Sequence, residues 1–312
     1  MPGAFAHLTF VNLASGDKFL DSVDLNDSAY NAINEYLSYC EMGAVSPDYP
    51  YLAISLFKKH GVWADYMHLD EKTKKLIIVG IKEIKKIDNN FDKEKVFAWL
   101  CGFLSHIVAD VVLHPVIELK VGPYNGNETD HRICEVNQDS YIYQRMGLGA
   151  IGMAEHLKSG VSKCSLPDDD DKIDPLIKKV WEQMLKEIRP NDFISDKPDI
   201  DAWHEGFNEN VNIIEEGGKL SPLARHVAVN VLGATYPAED AIDMQFIENL
   251  KIPSGELMHY DDIFDKAIEQ IVQSWKILGD AVFSEDKEYL TFLGDWNLDS
   301  GRDTQDNLVF WA

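Results

Sequence analysis

The constraint that dominates this chain lies between Ala98 and Ile117, an apolar run broken by His106, Asp110 and His114. Almost every other position there suits a core: Trp99, Leu100, Phe103, Leu104, Ile107, Val108, Val111, Val112 and Leu113. The run is near the length of a membrane span. Its polar side chains recur every fourth residue, so on a helix they form one stripe that rises ~6 Å per step. An aspartate buried between two histidines costs several kcal/mol unless something neutralises it. A metal ion is the most economical partner, because imidazole and carboxylate are both zinc ligands. The alternatives are a hydrogen-bonded His–Asp pair in a protein core and a proton relay in a lipid-spanning helix.

Other features narrow the class. A chain of 312 residues can bury a large core. Met1-Pro2-Gly3-Ala4-Phe5-Ala6-His7 has neither a basic n-region nor an apolar h-region, so the expectation is a cytoplasmic protein without a signal peptide or membrane span, non-classical export remaining open. Cys40, Cys101, Cys134 and Cys164 are irregularly spaced without a CxxC pair, and read as reduced thiols. The formal charge of −24 disfavours nucleic acids and strongly anionic membranes, whose phosphates call for a Lys/Arg surface.

The pattern along the chain is helical. A helix capped by Asp27 or Ser28 is expected to run through Tyr39, and Glu71 to Ile87 reads as amphipathic with a cationic face. Asp92 is the expected cap of the ligand-bearing helix, and Gly122–Asn127 separates it from another that begins near Asp130. Ser165–Lys172, with four consecutive aspartates, reads as a solvated loop and linker. It divides a part at 1–164 from a part at 173–312, with helical patterns at Ile173–Ile188, Leu223–Leu232 and Asp262–Phe283. Alternating strands and internal repeats are absent. His156, His204, His226 and His259 lack comparable partners and read as structural or exposed, whereas Gly294–Gly301 reads as an ordered turn without an assigned role.

His131-Arg-Ile-Cys-Glu135 supplies a second His/Glu pair on one helix face. A surface pair at a helix start, where Glu suits the dipole, has the same spacing. Asp139, one turn later, is a candidate supporting partner. A looser set is His7, Asp48 in Ser-Pro-Asp-Tyr, and His68, with Asp65, Asp70 and His60 as rivals.

In this order the series resembles the zinc-dependent phospholipases C, in their leaderless bacterial branch, and their relatives the zinc-dependent single-strand nucleases. Positions matching that family's ligands are His7, Asp48, His68, His106, Asp110, His114, His131 and Glu135. The Cys101–Ile117 segment and the opening Met-Pro-Gly-Ala-Phe-Ala-His resemble it as well, so the likeness covers roughly residues 1–145.

The resemblance implies an all-α fold converging on two or three zinc ions per chain. Asp110 would bridge a pair of ions. His106, His68 and Asp48 would complete one, and His7 with the N-terminal residue's backbone groups, Met1 or Pro2, would hold its neighbour. The third would take His114, His131 and Glu135. The rise of ~12 Å from His106 to His114 independently suits two different ions. The implied reaction is hydrolysis of a phospholipid to diacylglycerol and a phosphorylated head group, with Asp48 as general base and catalytic residue. The expected partners are a phospholipid or small phosphodiester and, transiently, a membrane surface; no nucleic acid is expected, and the oligomeric state is open. A single-strand nuclease or nucleotidase is the alternative enzyme, although the short Asp110-to-His114 interval and the scarcity of cationic surface oppose it. A non-catalytic interaction protein stabilised by zinc is the alternative outside enzymology.

Overall fold

The computed structural model describes residues 3–52, 61–69, 72–147, 162–208 and 236–311. Met1, Pro2, His60, Asp70, His156, His226 and the helical pattern at Leu223–Leu232 lie outside them. The fold is all-α, as the periodicity requires: among the described residues, strands occur only as three two-stranded antiparallel pairs. The helices that build and cover the site are α1 (Ala4–Ala14), α2 (Asp27–Glu35), α3 (Leu37–Val45), α4 (Gly61–His68), α5 (Thr73–Ile84), α6 (Asn90–Val121), α7 (Glu128–Tyr143), α8 (Pro175–Ile188) and α9 (Tyr260–Phe283).

Helix α6 is the axis, and every residue from Val96 to Ile117 is buried. It is long and apolar enough to cross a membrane, yet its most apolar stretch is wholly covered by protein. Helices α2, α3, α5 and α9 pack around it, and α8 packs on α5. The fully buried aromatics Trp99, Trp181 and Trp203 join the long helix to the chain beyond the aspartate run, with ring centroids 5.7 and 5.6 Å apart. On the opposite side, the Trp275 indole N–H donates to the Cys101 carbonyl and the Ser105 hydroxyl. Each such side chain contributes a few kcal/mol by leaving water.

Local capping departs from the sequence reading at several helix starts. Asn26, rather than Asp27 or Ser28, accepts the Ser28 N–H, and the expected single helix is two, α2 and α3, meeting at Tyr36. Asn89, rather than Asp92, caps α6 by accepting the Asp92 N–H, so that helix starts earlier. In both cases an asparagine in extended or turn backbone takes the role for which its short side chain is suited. The aspartate run is not a plain loop: Ser165–Leu166 pairs with Asp169–Ile173 as a hairpin. Asp170 and Asp171 remain exposed, so pairing at this edge leaves their carboxylates solvated.

Helices α3 and α6 cross at a glycine contact. A Cβ on Gly102 would lie 1.8 Å from the Cys40 carbonyl oxygen, and one on Gly43 would lie 2.0 Å from that of Trp99. This approach brings the end of α3, and the Ser46–Asp48 turn after it, against the histidine stripe. The turn is pinned by Trp99, whose indole donates to the Ser46 hydroxyl at 3.0 Å, while Ser46 donates to the Met42 carbonyl. His204 sits next to it, buried between the Tyr49 hydroxyl at 3.4 Å from Nδ1 and the Ser165 hydroxyl at 2.8 Å from Nε2.

Gly102→Ala is expected to lower stability by about 3 kcal/mol or more, since backbone blocks the added methyl; denaturant unfolding that left the midpoint unchanged would refute the close contact. Burial pushes the His204 imidazole down to about 4 from its ordinary 6.5. The unfolded chain therefore binds the extra proton first, and stability declines as pH falls from 6.5 toward 4, by at most about 3 kcal/mol. His204→Gln should make that decline shallower when melting is followed across the same pH range.

Candidate metal centre

The stripe read from the sequence is one face of α6: His106, Asp110 and His114 are all buried. Around it come His7 from α1, Asp48 from the Ser46–Asp48 turn, and His68 from the end of α4, none more than a few per cent exposed. Two trios of donor atoms converge within 4.8 Å of one another: His7, Asp48 and His106; and His68, His106 and Asp110.

Hydrogen bonding fixes how these rings present themselves. His68 Nδ1 lies 2.8 Å from the Ala64 carbonyl, and His106 Nδ1 lies 2.8 Å from the Ala44 carbonyl, the group that the glycine contact delivers. A carbonyl only accepts, so each Nδ1 carries its hydrogen and each Nε2 of the neutral ring is a bare lone pair. Those two Nε2 atoms face each other at 3.1 Å. Asp48 Oδ1 lies 3.3 Å from His68 Nε2 and 3.9 Å from His106 Nε2, and Asp110 Oδ2 lies 3.4 Å from His106 Nε2. His7 stacks on His106 with ring centroids 3.9 Å apart, its Nε2 3.3 Å from Asp110 Oδ1.

The centre is thus a buried cluster of acceptors. Asp48 Oδ1, both Asp110 oxygens and both His7 nitrogens lack hydrogen-bond partners. Buried acceptors without donors are costly, and a cation at their convergence would satisfy the carboxylate oxygens and one nitrogen of His7. Burial acts to raise both carboxyls, but His106 and its neighbours outweigh it, holding Asp48 below and Asp110 well below the usual carboxylate range. All four cysteines are buried and outside any disulfide, and burial pushes their thiols up.

The remaining residues form an adjoining group. His114 presents a bare, unpartnered Nε2, because its Nδ1 donates to the Leu298 carbonyl. His131 has the other tautomer: Nε2 donates to the Gly122 carbonyl at 2.7 Å and Nδ1 is left bare. Burial drives His114 down to about 3, and it raises Glu135, one turn beyond His131 on α7. Asp139 accepts the Gly3 N–H at 3.2 Å, tying the N-terminal arm to α7, and burial lifts its carboxyl to about 7. His114, His131 and Glu135 do not form a trio as tight as the first two, while Asp65, the rival to Asp48, is occupied by the Tyr51 hydroxyl at 2.5 Å.

Two contributions were invisible in the sequence. The Leu298 carbonyl orients His114, and the Leu298 N–H donates to the His68 carbonyl at 3.0 Å. Main-chain groups carry no residue signature, so only the fold reveals them. At the rim, exposed Tyr51 lies 5.7 Å from His68 and exposed Tyr124 lies 5.2 Å from His131, centroid to centroid.

Comparison with curated proteins and with solved structures finds no match. Against family models, residues 6–191 match the one described as zinc dependent phospholipase C. That stretch holds the acceptor cluster, both trios and the His131–Glu135 pair, so the chain belongs to the zinc-dependent phospholipase C family.

Proposed function

We propose that the protein is a zinc-dependent phosphodiester hydrolase that cleaves a phospholipid to diacylglycerol and a phosphorylated head group. The observation that carries this reading is the cluster of facing acceptors at His68, His106, Asp48 and Asp110, which a bound cation would satisfy. Two ions would share Asp110, one with His106, His68 and Asp48 and the other with His7 and the N-terminal residue; a third would take His114, His131 and Glu135. When bound, paired divalent ions stabilise the anionic transition state of phosphoryl hydrolysis and acidify water.

The protein's own part is to position and to move a proton. Asp48, whose Oδ1 lies 3.3 Å from His68 Nε2, is the carboxylate that would accept the proton of the attacking water. The water oxygen bonds to phosphorus as the bond from phosphorus to the glycerol oxygen breaks, and the released alkoxide takes up a proton to become diacylglycerol. The carbonyls of Ala44 and Ala64 hold the rings of His106 and His68 in place, so little reorganisation is needed during reaction.

The rim favours a zwitterionic head group over an anionic lipid. Tyr51 and Tyr124 are exposed aromatic faces, Asp65 lies against Tyr51, and Asp299 acts electrostatically on both tyrosines. Aromatic faces beside carboxylates suit a quaternary ammonium, and the charge of −24 repels anionic surfaces and nucleic acid. Contact with membrane would be transient, from a cytoplasmic pool. In this reading residues 1–164 carry the metal ligands and 173–312 form a C-terminal part that covers them.

Elemental mass spectrometry of the purified protein should find two to three zinc per chain, and His106→Ala should lose at least the paired ions; a zinc-free wild type that takes up none would sink the reading. On phosphatidylcholine vesicles the zinc-loaded protein should release phosphocholine and diacylglycerol, chelation should stop it, and Asp48→Asn should lower kcat by about 10²–10⁴-fold. Release of phosphate from nucleotides with none from lipid would move the assignment to the nuclease class.

A further inference from the structure

We infer that the C-terminal hairpin is a built-in arm of the metal centre that positions His114 for its ion. The inference rests on the zinc reading above and adds residues far outside the family-matched stretch 6–191. The arm is Trp296–Asn297 paired with Arg302–Asp303, and its tip carries Leu298. That leucine is fully buried, and its peptide groups reach two histidines at once: N–H to the His68 carbonyl, carbonyl to His114 Nδ1. The second bond keeps the hydrogen on Nδ1, which leaves Nε2 bare and aimed by a fixed ring.

The hairpin has a seat that explains why it docks there. Pro115 follows His114 inside α6 and has no N–H, so the Val111 carbonyl four residues earlier loses its helical partner. Gly301 lies directly over that gap: a Cβ on it would sit 2.4 Å from the Val111 oxygen and 2.5 Å from Pro115 Cγ, and its φ of +65° is one that a glycine adopts freely. Next to it, the Trp311 indole donates to the Val112 carbonyl at 2.8 Å. The base of the arm is clamped to the start of α5, where Thr73 Oγ1 donates to the Gly294 carbonyl and accepts the Trp296 N–H, and Asp295 accepts the Lys74 N–H. One ligand turn, one proline gap and one helix start therefore converge on a single segment of some twenty residues.

Leu298 acts through its main chain, so the variant to make is Gly301→Val, which unseats the hairpin without touching a proposed ligand. With zinc, the wild type should hold its full complement, and Gly301→Val should lose one ion per chain or bind its weakest ion at least 10-fold more loosely, with the paired ions retained. Cobalt-loaded protein gives a second readout, because the visible absorption of one site should fall while that of the others persists. Should Gly301→Val prove insoluble, hydrogen exchange of the wild type decides: adding zinc to metal-free protein should slow exchange in a peptide spanning residues 293–303 more than in one from α9. Full zinc affinity and an unchanged cobalt spectrum in the variant, or hairpin exchange that ignores zinc, would overturn the inference while leaving the zinc reading intact. A wild type that binds no zinc would instead overturn the zinc reading and this one with it.

Discussion

Two imidazole lone pairs and two carboxylate oxygens meet in the middle of this protein without a donor hydrogen between them, and much of the architecture exists to hold them there. The rings cannot rotate away, because the carbonyls of Ala44 and Ala64 fix each Nδ1 hydrogen. The Ala44 carbonyl is within reach because Gly43 and Gly102 let two helix backbones touch. Asp48 cannot withdraw either, since its turn is pinned through Ser46 to Trp99. A site that is rigid before its ion arrives loses little freedom on binding, the general route to strong coordination.

The same rigidity links folding to metal. The buried acceptors face one another without donors, so a cation that binds only the folded state would stabilise it by mass action. This explains why a helix apolar enough to span a lipid bilayer is instead the core of the molecule. Its single polar stripe needs partners from several chain segments, and α1, the Ser46–Asp48 turn and α4 all supply them. Lipid offers no such groups.

Much of this was legible in the sequence, for a definite reason. His106, Asp110 and His114 lie on one helix, so their geometry follows from helical period alone, and the apolar residues between them announce burial. His7, Asp48 and His68 lie on other segments, and no local rule selects Asp48 over Asp65; the resemblance to a family made that choice. Helix starts were misplaced where Asn26 and Asn89 cap, because several eligible residues stand side by side in both places. The pairing of Ser165–Leu166 with Asp169–Ile173 has no local signature, because four adjacent aspartates suggest a solvated loop and the exposure that relieves their repulsion is set by the fold. The contribution of Leu298 had no signature at all, since its peptide group is the same in every residue.

Pro115 shows how such silent positions become specific. In a helix interior, proline costs about 3 kcal/mol through its missing hydrogen bond and ring clash. Here that cost falls one residue after a proposed ligand, on a helix otherwise free of proline. The broken ladder exposes a carbonyl in the core, and a segment nearly two hundred residues later closes over it with the one residue small enough to fit, while the adjoining Trp311 bonds the next carbonyl along. A defect in one helix thus becomes the docking point of another part of the chain. The hydrogen bond that this docking delivers to His114 links the C-terminal half to the histidine stripe of the N-terminal half.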